Sequence, residues 1–386
     1  MFKHALDLHR LNKGKIEIKS KVRVKTRRDL SLIYTPGVAA VSKEIAKDRE
    51  KAYEYTMKSN SIAVVTDGSA VLGLGNIGPE AALPVMEGKC VLFKELANID
   101  AYPICLGTQD ADEIVSIVKN ISPGFGGINL EDISAPRCFS IEKKLQDIGI
   151  PVMHDDQHGT AIAILAALLN SAKVAKKNIE DLSVVISGAG AAGTSVAHLL
   201  LCLGMDKNIC TSVKDITICD SKGIIYEGRK DLNEHKKELA KSTNRTRKKG
   251  ALKDALKGAD VFIGVSAGNL VTLDDIKTMN KNPIVFAMAN PVPEIYPDEA
   301  SKSAFIVASG RSDFPNQINN SLVFPGIFRG ALDARITSIT DKMKIAAAHA
   351  LANSIKPSRK KILPSTLDKS VAAKIAKAVI AASKNE

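Results

Sequence analysis

Two pairs of adjacent carboxylates stand where apolar stretches end. Glu131-Asp132 follows Phe125-Gly-Gly-Ile-Asn-Leu130, and Asp155-Asp156 follows Ile150-Pro-Val-Met153. Loops at the ends of such stretches carry function in α/β proteins. Carboxylates crowded together repel one another unless a cation neutralises them, and an all-oxygen ligand set favours Mg2+ or Mn2+ over zinc. Adjacent side chains on a strand point to opposite faces, so Glu131 and Asp132 both chelate only where the chain has left the strand. Gly126-Gly127 before them and Pro136 after them allow that. Without a cation the same acids read as exposed turn residues. His154-Asp-Asp-Gln-His158 has the H-x-x-x-H spacing of a zinc-protease helix, but Asp155 replaces the glutamate, Pro151 precedes it and Gly159-Thr160 breaks a helix just after. The two histidines are therefore read as satisfied polar groups beside the site.

Lys89, in Glu87-Gly-Lys89, and Lys94 are candidate bases. On one strand their odd offset turns them to opposite faces, so one at most enters a given pocket. A lysine is a base near neutral pH only when burial or a nearby cation lowers its pKa, and a bound divalent metal would do so.

A third constellation is Gly188-Ala189-Gly190-Ala191-Ala192-Gly193, between an apolar stretch and an amphipathic one. This is the strand-turn-helix setting of a dinucleotide fingerprint. The first Gly makes the tight turn, the second lets backbone approach a pyrophosphate, and the third lets helix and strand pack closely. The helix N-terminus adds free N–H groups and a positive dipole end. Asp220, closing the next apolar stretch, is placed to accept from the adenosine ribose, which favours NAD; Lys222 could instead meet a 2′-phosphate, so NAD and NADP both stay open. The wide spacing of Gly188 and Asp220 is assigned to a loop at Asp206–Lys214. A second match, Gly73-Leu-Gly-Asn-Ile-Gly78, lacks the strand and helix around it and reads as a backbone loop approaching the substrate pocket.

The elements that must carry these groups change rhythm along the chain. Up to about residue 150 short apolar runs (61–65, 91–93, 103–106) alternate with Gly-rich turns and a helix Asp110–Asn120 opened by an Asp cap. Beyond it, a helix over Thr160–Val174, a strand over Leu182–Ser187 and a helix over Ala191–Leu203 lead into four strands at Ile216–Cys219, Val261–Val265, Ile284–Met288 and Phe305–Ala308. Alternating strand and helix predict a doubly wound parallel sheet. Leu367, Val371, Ile375 and Val379, behind a Ser365-x-x-Asp368 cap, predict a surface helix over Thr366–Ser383 that packs on its own domain or on a second subunit.

The chain of 386 residues is long for one core, so two α/β domains are expected: a mixed unit over 1–150, and a Rossmann-like dinucleotide-binding unit with C-terminal helices over 151–386. With 45% hydrophobic and 25% charged residues, disorder and fibrous repeats fit poorly. The longest apolar run, Ala161–Leu169, is too short for a bilayer and the start Met1–Lys15 lacks a signal-peptide core, which predicts a cytoplasmic protein without a membrane partner. Cys90, Cys105, Cys138, Cys202, Cys210 and Cys219 form no C-x-x-C pair and are expected as reduced thiols. The formal charge of +12 includes the basic pairs Arg27-Arg28, Lys248-Lys249 and Lys360-Lys361, yet there is no Trp and aromatics are 4%. Basic residues without stacking rings argue for a solvated surface that attracts small anions, not for nucleic acid.

Taken together, Tyr34-Thr-Pro-Gly-Val-Ala39, Thr66-Asp-Gly-Ser-Ala-Val-Leu-Gly-Leu-Gly75, Pro84-Val-Met-Glu-Gly-Lys89, Gly127-Ile-Asn-Leu-Glu-Asp132, His154-Asp-Asp-Gln-His-Gly-Thr160, Ala289-Asn-Pro291 and Ser309–Asn320 resemble malic enzyme in its short prokaryotic form, over nearly the whole chain. The resemblance implies oxidative decarboxylation of malate to pyruvate with NAD or NADP and a divalent metal, in a homodimer. It implies Glu131, Asp132 and Asp156 as metal ligands, Lys89 as general base, Tyr34 as general acid and Asp155 as the acid beside the lysine. Asn290 and Asn320 match positions holding the substrate carboxylate, with Asn290 also beside the cofactor. Larger eukaryotic members carry an arginine for substrate just before the Leu-Gly-Leu-Gly segment. Here that stretch reads Ser69-Ala70-Val71, so carboxylate binding leans on amides and backbone N–H groups. The phosphotransacetylase-like extension of some bacterial relatives does not follow the matched motifs, so regulation of the acetyl-CoA type is not implied.

Overall fold

The run Ser61-Ile-Ala-Val-Val-Thr66 is buried along its whole length, as a strand covered on both faces must be. In the computed structural model, which describes residues 2–71, 73–205 and 209–384, this is β1 (Ser61–Thr66). It pairs in parallel with β2 (Asp100–Cys105) and β3 (Gly127–Leu130), and β3 pairs with β4 (Val152–His154), giving the order β2-β1-β3-β4. Ile62 and Val64 face one core with Met86, Cys90 and Phe93; Ala63 and Val65 face another with Ile114, Val118 and Ile128. β4 lies beyond residue 150, so the first sheet extends a few residues past the division read from the sequence.

The second sheet has the order β10-β9-β8-β5-β6-β7, from β5 (Ser183–Ser187), β6 (Asp215–Asp220), β7 (Gly223–Ile224), β8 (Val261–Gly264), β9 (Ile284–Ala287) and β10 (Ile306–Ser309). All its pairings are parallel except the hairpin of β6 and β7. Strand order reverses at β5, with β6 on one side and β8 on the other, and ligands of such sheets bind outside the carboxyl ends of the strands at that reversal. The doubly wound sheet follows the expectation from alternating elements. Helix Ser370–Ser383 packs on both Phe324–Asp333 and Asp341–Ala352, and Asp341–Ala352 packs on the long helix Asp155–Ala175. That long helix is apolar and long enough to cross a membrane by composition, but 72% of its apolar window is buried inside the protein.

Several local expectations are corrected. Val91–Phe93 and Lys89 lie on no strand. They belong to a helix, Pro79–Ala97, whose buried residues Ala82, Met86, Lys89, Cys90 and Phe93 follow helical spacing. The long helix begins at Asp155, not Thr160, and runs through Gly159. The terminal helix begins at Ser370; Leu367 is 81% exposed, and Asp368 accepts from the N–H of Ser370 instead of capping with Ser365. Cys202 and Cys210 are disulfide-bonded, against the reading of six thiols, because the chain folds back past the end of helix Ala191–Leu200 and brings their Cα atoms to 5.8 Å. The other four are free. Of the loop Asp206–Lys214, residues 206–208 lie outside the described ones.

None of residues 3–60 is buried. Helices Phe2–Asn12, Arg27–Ile33 and Val38–Lys47 leave Leu6, Leu11, Ile18, Leu32 and Tyr34 each at least 65% exposed.

Candidate active site

Where β3 ends, Glu131 continues outward and Asp132 turns into the left-handed region at φ 54°. That twist lets neighbouring carboxylates face the same way, as the strand rule demanded. Asp156, in the first turn of helix Asp155–Ala175, joins them: ligand oxygens of Glu131, Asp132 and Asp156 all lie within 4.8 Å of one another. The backbone N–H of Asp132 donates to Asp156 Oδ2 at 2.7 Å, and Asn129 Nδ2, two residues back on the same face of β3, donates to Glu131 Oε2 at 2.9 Å. The loop after β1 clasps the same turn. Asp67, fully buried, accepts from Arg137 at 2.8 Å and from Ser69, while Ser69 Oγ accepts from the N–H of Ser134 and the N–H of Ala70 donates to the carbonyl of Asp132.

Lys89 reaches this cluster from helix Pro79–Ala97. Its Nζ lies 2.5 Å from Asp155 Oδ2, 2.9 Å from Glu131 Oε1 and 4.5 Å from the centre of the Phe324 ring. Burial disfavours the ammonium, but Asp155, Glu131 and Asp156 outweigh it and raise the lysine above its ordinary range. Burial pushes Glu131 well up, with Asp156, Asp155 and Asp132 adding and Lys89 opposing; Asp155 is raised by burial and Asp156 against the same lysine. Asp155, Glu131 and Asp156 thus all act on one ammonium, and the raised carboxyls of Glu131 and Asp155 mark a site short of positive charge. A hard divalent cation fits that donor set. Lys94 is corrected out of the site. Five residues along a helix is a turn of about 140°, and Lys94 points outward to Asp100 at 2.8 Å.

The two asparagines come in from the second unit. Asn320 opens a short helical turn beside helix Asp155–Ala175, where a Cβ on Gly159 would lie 3.2 Å from Asn320 Cβ and overlap Asp155 Oδ1. Asn290 follows β9, and a Cβ on Gly73 would overlap its carbonyl oxygen, which puts the Gly73–Gly78 loop against Asn290 as a backbone wall. Glu294, fully buried, accepts from the N–H of Ala289 at 3.0 Å and of Ser266 at 3.2 Å, tying together the loops after β9 and β8. Tyr34, 67% exposed on the N-terminal segment, is not among the buried side chains of this cluster.

The glycine turn sits at the strand-order reversal. Gly190 caps helix Ala191–Leu200 with nothing within 4 Å of where its Cβ would be, and a Cβ on Gly193 would overlap the carbonyl oxygen of Gly188. The open space at Gly190 and the close approach at Gly193 suit a pyrophosphate on the helix N-terminus beside Ala189, Ala191 and Ala192. Asp220, ending β6, accepts from Arg229 Nη2 at 2.7 Å, Lys236 Nζ at 2.7 Å and the N–H of Lys222 at 3.0 Å, and these donors hold its carboxyl below the usual range against the effect of burial. The side chain of Lys222 is instead paired with Asp231 at 3.1 Å.

A model of the "Malic enzyme, NAD binding domain" matches residues 157–384, and one of the "Malic enzyme, N-terminal domain" matches 13–111 and 107–146. The chain belongs to the malic enzyme family. It is 56% identical over 97% of its length to the bifunctional malic/malolactic enzyme of Bacillus subtilis, covering 91% of that protein, and 53% identical over 96% to an NAD-dependent malic enzyme of Geobacillus stearothermophilus, covering 76%. A crystal structure of an NAD-dependent malic enzyme from Thermotoga maritima superposes with TM-score 0.93 at 50% identity, covering 97% of this chain and 98% of that one. As a malic enzyme the protein is an oxidoreductase that converts malate to pyruvate and CO2 with NAD or NADP and a divalent metal, as the motif resemblance implied.

Motif reading did not single out Asn129, Glu294, Arg229 or Phe324. Asn129 was within reach, since residues i and i+2 of a strand share a face. The others come from distant segments and carry no local signal.

Proposed function

We propose that Lys89 is the proton-transfer centre of malate decarboxylation in this chain, that Glu131, Asp132 and Asp156 hold Mg2+ or Mn2+, and that Asn290 and Asn320 bind the substrate carboxylate. The observation carrying this reading is the single ammonium of Lys89 set between Asp155 and the ligand carboxylate Glu131 at 2.5 and 2.9 Å. The cation, when bound, withdraws electron density from the C2 oxygen and stabilises negative charge as the β-carboxylate leaves. With that cation offsetting the acids, Lys89 would lose its proton to solvent and, as the free amine, accept the proton of the C2 hydroxyl, the hydride of C2 being what NAD or NADP would take up. After CO2 departs, Lys89 returns a proton towards C3 with Tyr34 as the donor of last contact, and Asp155 keeps the amine aimed throughout. Gly188–Gly193 and Asp220 hold the pyrophosphate and adenosine ribose of NAD or NADP.

The protein acts in this reading in the cytoplasm as a homodimer, with the unit 1–150 supplying Glu131 and Asp132 and the unit 151–386 supplying Asp156 and the cofactor residues. Exposed Leu6, Leu11, Ile18 and Leu32 lie on the same segment as Tyr34, and this apolar exposure supports a second copy that would cover the segment. The test is the purified full chain with malate, Mn2+ and NAD or NADP in parallel, following reduced cofactor and pyruvate. Equimolar products that vanish with EDTA and return with Mn2+ support the reading; full activity after chelation removes it.

A further inference from the structure

The turn that delivers Asp155 and Asp156 is held from behind by a carboxylate outside the described chemistry. Glu142, on helix Arg137–Lys144, has a side chain 11% exposed. Its Oε1 accepts the backbone N–H of His154 at 2.9 Å, and its Oε2 accepts from His158 Nε2 at 2.9 Å. Those two partners bracket Asp155 and Asp156: His154 is the N-cap of helix Asp155–Ala175, and His158 lies in the first turn and a fraction.

A helix N-terminus exposes N–H groups that no helical carbonyl reaches, and a local side chain usually satisfies some of them. His154 makes no side-chain cap bond, and its own N–H goes to Glu142 from a different helix. A carboxylate accepts at both oxygens and is stronger for being charged, so one residue pins the backbone before the acids and the ring after them. Lys344, 8% exposed and paired with Asp341 at 3.0 Å, closes the same pocket with Gln157 and Phe139. In this arrangement the backbone that carries Asp155 and Asp156 is fixed by Glu142 at the residue just before them and at the ring two residues after them.

We propose that Glu142 is a positioning residue of the metal centre, setting the start of helix Asp155–Ala175 so that Asp156 meets Glu131 and Asp132 while Asp155 meets Lys89. The proposal rests on the reading of those three acids as the cation site. Residues that orient metal ligands typically change affinity about 10- to 100-fold when removed.

The test is Mn2+ titration of the full chain by electron paramagnetic resonance without substrate, with NAD(P) affinity and thermal unfolding measured on the same samples. Glu142→Ala is expected to weaken Mn2+ by about 10- to 100-fold while NAD(P) affinity is retained. Glu142→Gln should recover most of that loss, since its amide oxygen still accepts from His154 and its NH2 meets the other tautomer of His158. Should Glu142→Ala fail to fold, His158→Ala removes one of the two contacts and should weaken Mn2+ by a smaller factor with the fold intact. Unchanged Mn2+ affinity in Glu142→Ala, beside a clear loss in Asp156→Asn, overturns the positioning role and leaves the cation site standing. Mn2+ affinity that Asp156→Asn does not alter removes the cation site and this proposal together.

Discussion

Lys89 Nζ and Asp155 Oδ2 stand 2.5 Å apart although 66 residues separate them in the chain. One residue comes from the helix covering the first sheet, and the other begins the long helix leading into the second. The ion pair therefore spans the joint between the two units, roofed by Phe324 from the C-terminal helices, whose ring lies 4.7 Å from Phe93. Asp155 and Glu131 share the one charge of Lys89, so loss of the lysine should register in stability as well as in rate.

Lys89→Ala is expected to lower kcat by about 10²- to 10⁴-fold, the usual contribution of acid–base catalysis, with NAD(P) affinity retained. It also strands two buried carboxylates, and breaking a buried pair from one side costs about 3–5 kcal/mol. Added Mn2+ should consequently raise the melting temperature of the variant more than that of the parent. Differential scanning calorimetry with and without Mn2+, beside steady-state kinetics, checks both halves. Near-normal turnover would take the base away from Lys89.

Gly159→Ala should harm catalysis although alanine favours a helix by about 1 kcal/mol. The added methyl would overlap Asp155 Oδ1 and press on Asn320, so the carboxylate must leave Lys89. A misplacement of about 1 Å can cost about 10²-fold in rate. Kinetics should show a fall in kcat with the variant still folded by circular dichroism, and a fully active, more stable Gly159→Ala would contradict the geometry.

That glycine also shows what was legible in the sequence. Read locally, Gly159 ends a helix; in the fold it is required inside one because Asp155 passes over it. The second sheet was readable because each strand is a short apolar run bounded by turns, and the acids were visible because adjacent carboxylates at strand ends need a reason. Helix Pro79–Ala97 was not, since Val91-Leu92-Phe93 has the look of a strand and Pro84 the look of a break. Its stripe Ala82, Met86, Lys89, Cys90, Phe93 was the available signal. Nothing local pairs Cys202 with Cys210 or brings Arg229 and Lys236 to Asp220, since these contacts exist only after the chain turns back.

Asp260 offers a pH test away from the chemistry. It accepts from Lys177 at 2.6 Å and from the N–H of Ser183 at 3.0 Å, tying the end of the long helix to β5 and β8. Burial opposes its charge, but these donors outweigh it and lower its pKa. A carboxyl lowered on folding adds stability above its unfolded pKa of about 3.9, lost as pH falls through the folded value. Asp260→Asn should therefore lose about 1.5–3 kcal/mol, the usual worth of charged hydrogen bonds, from pH 5 to 8. The gap from the parent should narrow below about pH 4, in urea midpoints taken across that range. A gap independent of pH would show that the charge contributes nothing.

The glycine turn permits a paired test of cofactor binding. Gly190 has φ −89° and ψ −160°, which alanine adopts, and open space where a Cβ would stand. Gly190→Ala should leave the melting temperature within about 2 °C, as for a surface change of under 0.5 kcal/mol, yet place a methyl where the pyrophosphate approaches. Gly193 is different. Its Cβ would overlap the carbonyl oxygen of Gly188, forcing helix Ala191–Leu200 away from the turn after β5, and overpacking of this kind costs about 1–3 kcal/mol. Both variants should weaken NAD(P) by about tenfold or more, since each disturbs the backbone that meets the phosphates. Only Gly193→Ala should also melt earlier, and Mn2+ affinity should hold in both because the acids lie on the first sheet and the long helix. Calorimetric titration of NAD(P) and Mn2+ with thermal unfolding separates these outcomes. Unweakened NAD(P) binding by Gly190→Ala would mean that the pyrophosphate does not approach this turn.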